Sequence, residues 1–172
     1  MGTNHMGRQS IRFPQPPVVR GFASVAGKKE REGPLGDQFT ATVQDTTFGE
    51  KSWEQAERRM QQMTLELALE KAGLTDADLD AAFAGDLLNQ CIGSSFSLRN
   101  RGVPTLGLYG ACSTMAESLL LAAMSISGGF ARTALAMTSS HFASSERQYR
   151  FPLGYGGQRT PTSQWTVTGA GA

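Results

Sequence analysis

The sequence predicts an α/β fold built around a largely parallel β-sheet. Short apolar stretches alternate with longer segments of helical periodicity, in the order β, α, β, α, β, α, β and a final β. The 20 glycines indicate many tight turns or close backbone approaches. At 172 residues the chain is long enough for one domain with a substantial core.

Composition excludes several classes of function. The net charge of +1 provides no basic surface for nucleic acid, so we expect no nucleic-acid partner. No run of about 18 apolar residues is present, which argues against a transmembrane segment, and the polar N-terminus does not resemble a signal peptide. Two cysteines, Cys91 and Cys112, fit neither a disulfide framework nor a zinc site, so we expect reduced thiols and no metal or cofactor.

The N-terminal region is expected to contribute one strand. Residues 1–6 are interpreted as an expression-tag remnant, and residues 7–17, with three prolines, as an irregular arm. Residues 18–27 are predicted to be a strand, and the charged residues 28–39 an exposed loop.

The first predicted helix begins after Ser52, a favourable N-cap residue, with Gln55 placed to complete a capping box. Its apolar residues recur at steps of three and four, and Gly73 follows as the C-terminal stop. The apolar residues of this stripe are Trp53, Ala56, Met60, Met63 and Leu67.

The remaining elements follow from the same patterns. Strands are predicted at 81–85, 104–110 and 131–140, with a last strand in 163–172. Helices are predicted at 88–101 and from Cys112 to about Ser127, where two glycines stop the helix. Residues 139–152 are interpreted as a polar loop or helical turn.

Polar residues follow three of the predicted strands. In parallel α/β sheets functional side chains gather at the carboxyl ends of the strands, where Asp86, Cys112 and the Ser139-Ser140-His141 group are expected. Asp86 has a second interpretation, as a cap for the helix that follows it. His141 has one as an ordinary loop residue.

The stretch GACSTMAE, residues 110–117, leaves three roles open for Cys112. A sulfur at a helix start lies near free backbone N–H groups, which favour a thiolate and therefore nucleophilic acyl transfer. The same groups bind an oxyanion or a ligand carboxylate without chemistry. The third role is that of a small core residue. The helix itself is apolar on almost every face, so we expect another domain or subunit to cover it.

GACST between an apolar strand and an apolar helix resembles the nucleophile motif of the thiolase and ketosynthase superfamily. More narrowly, the chain resembles the family of stage V sporulation protein AD from spore-forming bacteria. The segments that carry this resemblance are GPLGDQF, KSWEQAER, AGDLLNQ, GACSTMAE, SSHFASSERQYRFP, YGGQ and TVTGAGA.

The resemblance implies a thiolase-like fold, of which residues 18–172 would form the N-terminal half, a mixed and mainly parallel sheet with helices on both faces. In the complete fold two such halves form five layers, and the nucleophile helix lies between the two sheets. The second half, which supplies further catalytic residues in the enzymes, would be missing. We therefore expect a homo-oligomer or association with a C-terminal half.

The resemblance also implies a function. Family members are associated with uptake of dipicolinic acid, with Ca²⁺, into the developing spore, as the peripheral member of a complex with other SpoVA membrane proteins. The expected location is cytoplasmic or peripheral at the spore inner membrane, without secretion, and the expected role is non-catalytic. The alternative is an acyl-transfer enzyme with Cys112 as nucleophile and His141 as base.

Candidate ligand-binding residues follow from the chemistry of a planar dicarboxylate. The helix start would supply N–H groups, two arginines bidentate contacts, and a histidine a hydrogen bond, whereas an aspartate would repel the anion unless it holds Ca²⁺ or orients a donor. Surface ion pairing is the alternative role of the arginines. The candidates are Asp86, Asn89, Cys112, Ser113, Thr114, His141, Arg147 and Arg150.

Overall fold

A computed structural model describes residues 4–149 and 168–172, without the side chains of residues 146–149. A small exposed hairpin, β1 (His5–Met6) and β2 (Ser10–Ile11), precedes the main sheet. The main strands are β3 (Ser24–Gly27), β4 (Ala41–Val43), β5 (Ala81–Gly85), β6 (Thr105–Leu108), β7 (Ala134–Ser140) and β8 (Gly169–Gly171). The helices are α1 (Lys28–Arg31), α2 (Trp53–Ala72), α3 (Ile92–Leu98), α4 (Thr114–Ser127) and α5 (Phe142–Tyr149).

The six main strands form one mixed sheet in the order β4-β3-β8-β7-β5-β6. The pairs β3–β4, β5–β6 and β5–β7 are parallel, whereas β8 lies antiparallel to both of its neighbours. The predicted α/β fold with a mainly parallel sheet is therefore confirmed.

Helices cover both faces of the sheet. Alternation along β5 and β7 sends Ala82, Ala84, Leu135 and Met137 into one core with α2 and α3. The intervening side chains, with Phe83 among them, pack on the other face against α4. Two helix layers thus sandwich the central strands, and residues that follow the strands are also divided between the two faces.

The first predicted helix is confirmed at both ends. The Ser52 hydroxyl accepts a hydrogen bond from the backbone N–H of Gln55 at 3.2 Å. Gly73 adopts a left-handed conformation with φ of 66° and ends α2, as glycine does without steric cost.

The helix predicted at 88–101 is much shorter, and α3 covers only seven residues. Gln90 and Cys91 have φ values of 60° and 50°, so the helix cannot begin before Ile92. Asn100, with φ of 67°, prevents its continuation toward residue 101. The hydrogen bonds of Asp86 described below hold the chain in the turn that precedes α3.

Two local predictions were incomplete, and one left two interpretations open. The predicted loop at 28–39 contains the short helix α1 and a 3₁₀ turn at Gly36–Gln38, and β4 follows it unpredicted. Of the two interpretations of segment 139–152, a polar loop or a helical turn, the helical one is confirmed, since α5 covers residues 142–149. In the predicted last strand only residues 169–171 are seen as β8, because residues 163–167 lie outside the described part.

The outer side of α4 carries apolar side chains that nothing in the described ranges covers. Leu119, Leu120 and Met124 are 48%, 42% and 44% exposed. The expectation that another domain or subunit packs on this helix stays a prediction. No helix among residues 4–149 and 168–172 has the length and apolar character needed to cross a membrane.

Gly85 lies where α4 comes closest to the sheet. A Cβ at this position would lie 2.2 Å from the Leu108 carbonyl oxygen and 2.5 Å from Cγ2 of Thr114. The first turn of α4 can therefore rest on the ends of β5 and β6 only because residue 85 has no side chain.

We predict that Gly85→Ala lowers the free energy of unfolding by about 1–3 kcal/mol, because the methyl group overpacks this contact. Urea unfolding followed by circular dichroism measures the change. The matched control is Gly107→Ala in β6, where the added Cβ meets only Cys91 atoms, at 3.8 Å. Equal stability of the two variants would contradict the prediction.

Candidate functional site

The start of α4 is a tight turn that leads out of β6. Ala111 has φ of 49°, the segment Ala111–Ser113 forms one 3₁₀ turn, and α4 begins at Thr114. Cys112 is exposed. The structure therefore shows the strand-to-helix placement that the sequence predicted for this thiol, and within the described part of the chain Cys112 is not a core residue.

The hydroxyl groups of this turn bond back to the loop rather than to the helix. Oγ of Ser113 donates to the Gly110 carbonyl at 2.7 Å, and Oγ1 of Thr114 donates to the Ala111 carbonyl at 2.9 Å. Among the described residues, no side chain caps the first turn of α4. The N–H groups at this positive end of the helix dipole are thus available to an anion.

Asp86 has a structural role in the turn between β5 and α3. Its side chain is 1% exposed and accepts hydrogen bonds from the N–H of Leu88 at 2.8 Å and from N and Oγ of Ser94 at 2.7 and 2.6 Å. Because these three bonds use both oxygens to hold the loop and the first turn of α3, the capping interpretation of Asp86 fits the geometry. Within the described residues no cluster of three His, Cys, Asp or Glu could hold a metal ion.

His141 is buried between α2 and the loop before it. Its Nε2 lies 2.7 Å from the Thr46 carbonyl oxygen and must donate to it, while its ring packs 5.7 Å from the Trp53 ring. Nδ1 has no hydrogen-bond partner in the described part of the chain. Burial lowers the pKa of His141, against opposing effects of the Thr46 carbonyl and the Glu54 charge, and keeps the ring neutral at pH 7.

The structure separates the predicted site residues. Asp86 and His141 contact the α2 side of the sheet, whereas Cys112, Ser113 and Thr114 lie at the α4 side. Among the described contacts, none joins the Cys112 turn to the His141 ring, which is engaged with Thr46 and Trp53. Asn89 is exposed in the turn before α3. Arg150 and the side chain of Arg147 lie outside the described residues.

A buried hydrogen-bond cluster joins the ends of β5 and β7 to α2, α3 and α5. Nε2 of Gln61 donates to Oγ of Ser94 at 3.1 Å and to Oγ of Ser139 at 2.6 Å. Ser94 continues to Asp86, and Ser139 donates to Oε1 of Glu57 at 2.7 Å. We call this the Glu57 cluster; its members are Glu57, Gln61, Asp86, Ser94, Ser97, Ser139 and Ser144.

Glu57 is the member with the most altered acidity. Burial raises its pKa to about 7, against hydrogen bonds from Ser144 and Ser139 that lower it, and the Asp86 charge adds to the increase. Sequence reasoning missed this residue because it followed only the apolar stripe of α2. Glu57, Gln61 and Thr64 recur at the same helical steps and are all 0% exposed, so polar residues at core periodicity were the available signal.

One cavity of about 300 Å³ lies between α3 and β6. It is lined by Ser94, Ser95, Leu98, Arg99, Thr105 and Gly107. Because none of the predicted site residues lines it, this cavity does not add to the site at the start of α4.

We predict that Asp86→Asn lowers the free energy of unfolding by about 2–3 kcal/mol, since an amide replaces a buried acceptor of three donors. The matched control is Asp37→Asn, because the side chain of Asp37 is 85% exposed and pairs only at the surface with Arg31. Urea unfolding at pH 7 compares the two. If Asp86→Asn loses no more free energy of unfolding than the control, the hydrogen bonds of Asp86 contribute little to stability.

Solved structures share the fold at low sequence identity. The 3-oxoacyl-[acyl-carrier-protein] synthase III of Aquifex aeolicus VF5 matches 91% of this chain and 52% of its own, with a TM-score of 0.56 and 17% identity. OleA of Xanthomonas campestris matches 91% of this chain and 55% of its own, with a TM-score of 0.53 and 15% identity. The fold is therefore one half of a thiolase-like fold, as the resemblance implied.

Sequence comparison is more specific. The Stage V sporulation protein AD of Bacillus subtilis (strain 168) is 45% identical over 166 residues, which are 96% of this chain and 49% of that protein. The chain thus spans about half the length of its curated relative. Residues 7–172 also match the family described as Stage V sporulation protein AD (SpoVAD). The chain belongs to the SpoVAD family of sporulation proteins.

Proposed function

We propose that this chain carries the dicarboxylate-binding part of a sporulation protein that binds dipicolinic acid, with or without Ca²⁺, and serves its uptake into the developing spore without catalysis. The observation that carries the proposal is the uncapped start of α4, exposed beside Cys112 in a chain of the SpoVAD family. Membership of the family supports a role in sporulation, and the ligand is our inference.

The geometry suits one carboxylate of an aromatic dicarboxylic acid. Backbone N–H groups of the first turn bind a carboxylate, and the helix dipole adds a favourable charge interaction of roughly 0.3–1 kcal/mol. The Tyr109 side chain, 55% exposed, lies one residue before the turn and offers an aromatic surface for a pyridine ring. The second carboxylate would need a cation, for which Arg147 and Arg150 remain the predicted donors.

The apolar face of α4 indicates that the site is completed by another layer. On α4, the helix whose start would bind the ligand, apolar surface is exposed at Leu119, Leu120 and Met124. We propose a C-terminal half of the same protein as the cover, since this chain spans 49% of its relative. Association with a second copy or with SpoVA membrane proteins at the spore inner membrane is the alternative.

We predict that dipicolinate binds to this chain weakly, and more tightly to the full-length Bacillus subtilis relative, because a complete pocket buries more of the ligand. Isothermal titration calorimetry with and without Ca²⁺ measures both. The variant tested is Ser113→Asp, which caps α4 with its own carboxylate.

Ser113→Asp should abolish or weaken binding to this chain at least tenfold, because the added carboxylate competes for the same N–H groups. The matched control is Ser127→Asp at the opposite end of α4. If neither this chain nor the full-length relative gives a heat of binding, the proposed ligand is contradicted. Equal affinity of Ser113→Asp and the unaltered chain would contradict the proposed location.

A second candidate function is acyl transfer, favoured by the exposure of the Cys112 thiol at a strand-to-helix turn. In this case the thiolate of Cys112 attacks the thioester carbonyl of an acyl-CoA, the acyl group is transferred to the cysteine sulfur, and coenzyme A leaves as its thiolate. His141 does not fit as base, because its ring is buried and its Nε2 donates to the Thr46 carbonyl.

We predict that incubation with acetyl-CoA leaves Cys112 unmodified, because His141, the base that the sequence suggested, is buried and donates to the Thr46 carbonyl. Intact-mass spectrometry followed by peptide mapping detects an adduct, with Cys112→Ala as the control. A stoichiometric acetyl adduct on Cys112 would favour the enzyme.

A further inference from the structure

A carboxylate lies beside the turn at which the proposed ligand would bind. Glu117 is the fourth residue of α4 and is half-buried. Helical side chains lean toward the N-terminus of their helix, and Ser113 is the residue four positions before Glu117. The Glu117 side chain therefore reaches back over the start of α4 and brings a negative charge to the positive end of the helix dipole.

Gly110 shows how close this charge comes to the turn. A Cβ on Gly110 would lie 2.5 Å from Oε2 of Glu117 and 2.6 Å from Oγ of Ser113. The carboxylate and the hydroxyl thus lie against the Cα of Gly110, in space that is open only because residue 110 has no side chain. The exposed segment Ala111–Ser113, which includes Cys112, follows directly.

No ion pair in the described part of the chain neutralises this carboxylate, since none of those pairs includes Glu117. The Ser113 hydroxyl donates to the Gly110 carbonyl, and the Thr114 hydroxyl donates to the Ala111 carbonyl. A ligand at the start of α4 would therefore meet two opposing influences, the positive end of the helix dipole and a full negative charge at short range.

We infer that Glu117 determines the affinity of the start of α4 for anions, and that its charge keeps dicarboxylate binding weak and reversible. This inference rests on the proposed function, since it concerns the same site. A ligand carboxylate bound at the N–H groups of the first turn would be repelled by the Glu117 carboxylate. Without a ligand, Glu117 itself gains from the helix dipole. The residue thus favours the empty helix start over the occupied one.

A purely structural role of Glu117 predicts a different result. An acidic residue in the first turn stabilises a helix, so removal of its charge lowers stability in either case. If Glu117 only stabilises α4, the loss of its charge weakens the helix start and any anion binding there. If Glu117 opposes the ligand, the same change lowers stability but strengthens binding. The two roles therefore differ in the sign of the change in affinity.

Isothermal titration calorimetry with dipicolinate measures this sign. Glu117→Gln keeps the size of the side chain and removes its charge, so the variant should bind dipicolinate about fivefold more tightly than the unaltered chain. Urea unfolding of the same variant should show a lower midpoint. The matched control is Glu70→Gln at an exposed position of α2, which should leave the affinity unchanged. An unchanged or reduced affinity of Glu117→Gln would overturn the inference.

Disulfide exchange at Cys112 tests the charge without dipicolinate. The exposed thiol reacts as a thiolate with a dianionic aromatic disulfide, dithiobis(nitrobenzoate), and with the neutral dithiodipyridine. Glu117→Gln should accelerate the reaction with the dianionic reagent about threefold more than that with the neutral one, and high salt should remove the difference.

The two measurements separate the failure of the inference from that of the proposed function. An equal effect of Glu117→Gln on both disulfide reagents at low salt would show that the Glu117 charge does not act on anions at this turn. The expected difference between the reagents, without any binding of dipicolinate to either form of the chain, would contradict the proposed ligand and still support the role of Glu117.

Discussion

The hydrogen bonds of Asp86 are the constraint on which the rest of this structure depends. They hold the turn after β5 and the first turn of α3 together, and through Ser94 they connect to the Glu57 cluster. The cluster ties together the carboxyl ends of β5 and β7 and three helices that pack on one face. A buried polar group is tolerated only when its bonds are made, so this cluster specifies one arrangement of the helices.

The two faces of the sheet consequently differ in how the residues after the strands are buried and bonded. On the α2 side the residues after the strands are buried and engaged with one another, as His141 is with Thr46 and Trp53. On the α4 side the turn from Gly110 to Ser113 is exposed, and the first helical turn is uncapped. The ligand site that we propose lies on the α4 side, and the α2 side would supply the rigid support for it.

Local chemistry made much of the fold predictable. Ser52 and Gly73 marked the ends of α2 because capping and left-handed backbone depend on the residue itself. The alternation of elements predicted the parallel core of the sheet. The antiparallel placement of β8 and the edge strand β4 could not be predicted, because short strands pair through contacts distant in sequence and carry weak local signals.

The same reasoning explains the partial success at the site. The position of Cys112 followed from strand, glycine and helix in sequence, which are local features. The grouping of Asp86 with Cys112 and His141 assumed that all residues after strands face one cleft. A side chain's face depends on the parity of its position along the strand, so Asp86 and His141 turn toward α2. Glu57 was missed because the prediction followed only the apolar stripe of α2, although Glu57, Gln61 and Thr64 recur at the same helical steps.

The contrast between the two thiols has a practical consequence. Cys112 is exposed, whereas Sγ of Cys91 is buried and lies 3.2 Å from the Leu108 carbonyl oxygen, with its pKa raised by burial. An alkylating reagent will therefore modify one sulfur at once and the other only when the turn between β5 and α3 comes apart. The rate of the slow alkylation would report, in an otherwise unlabelled molecule, how often this edge of the sheet opens.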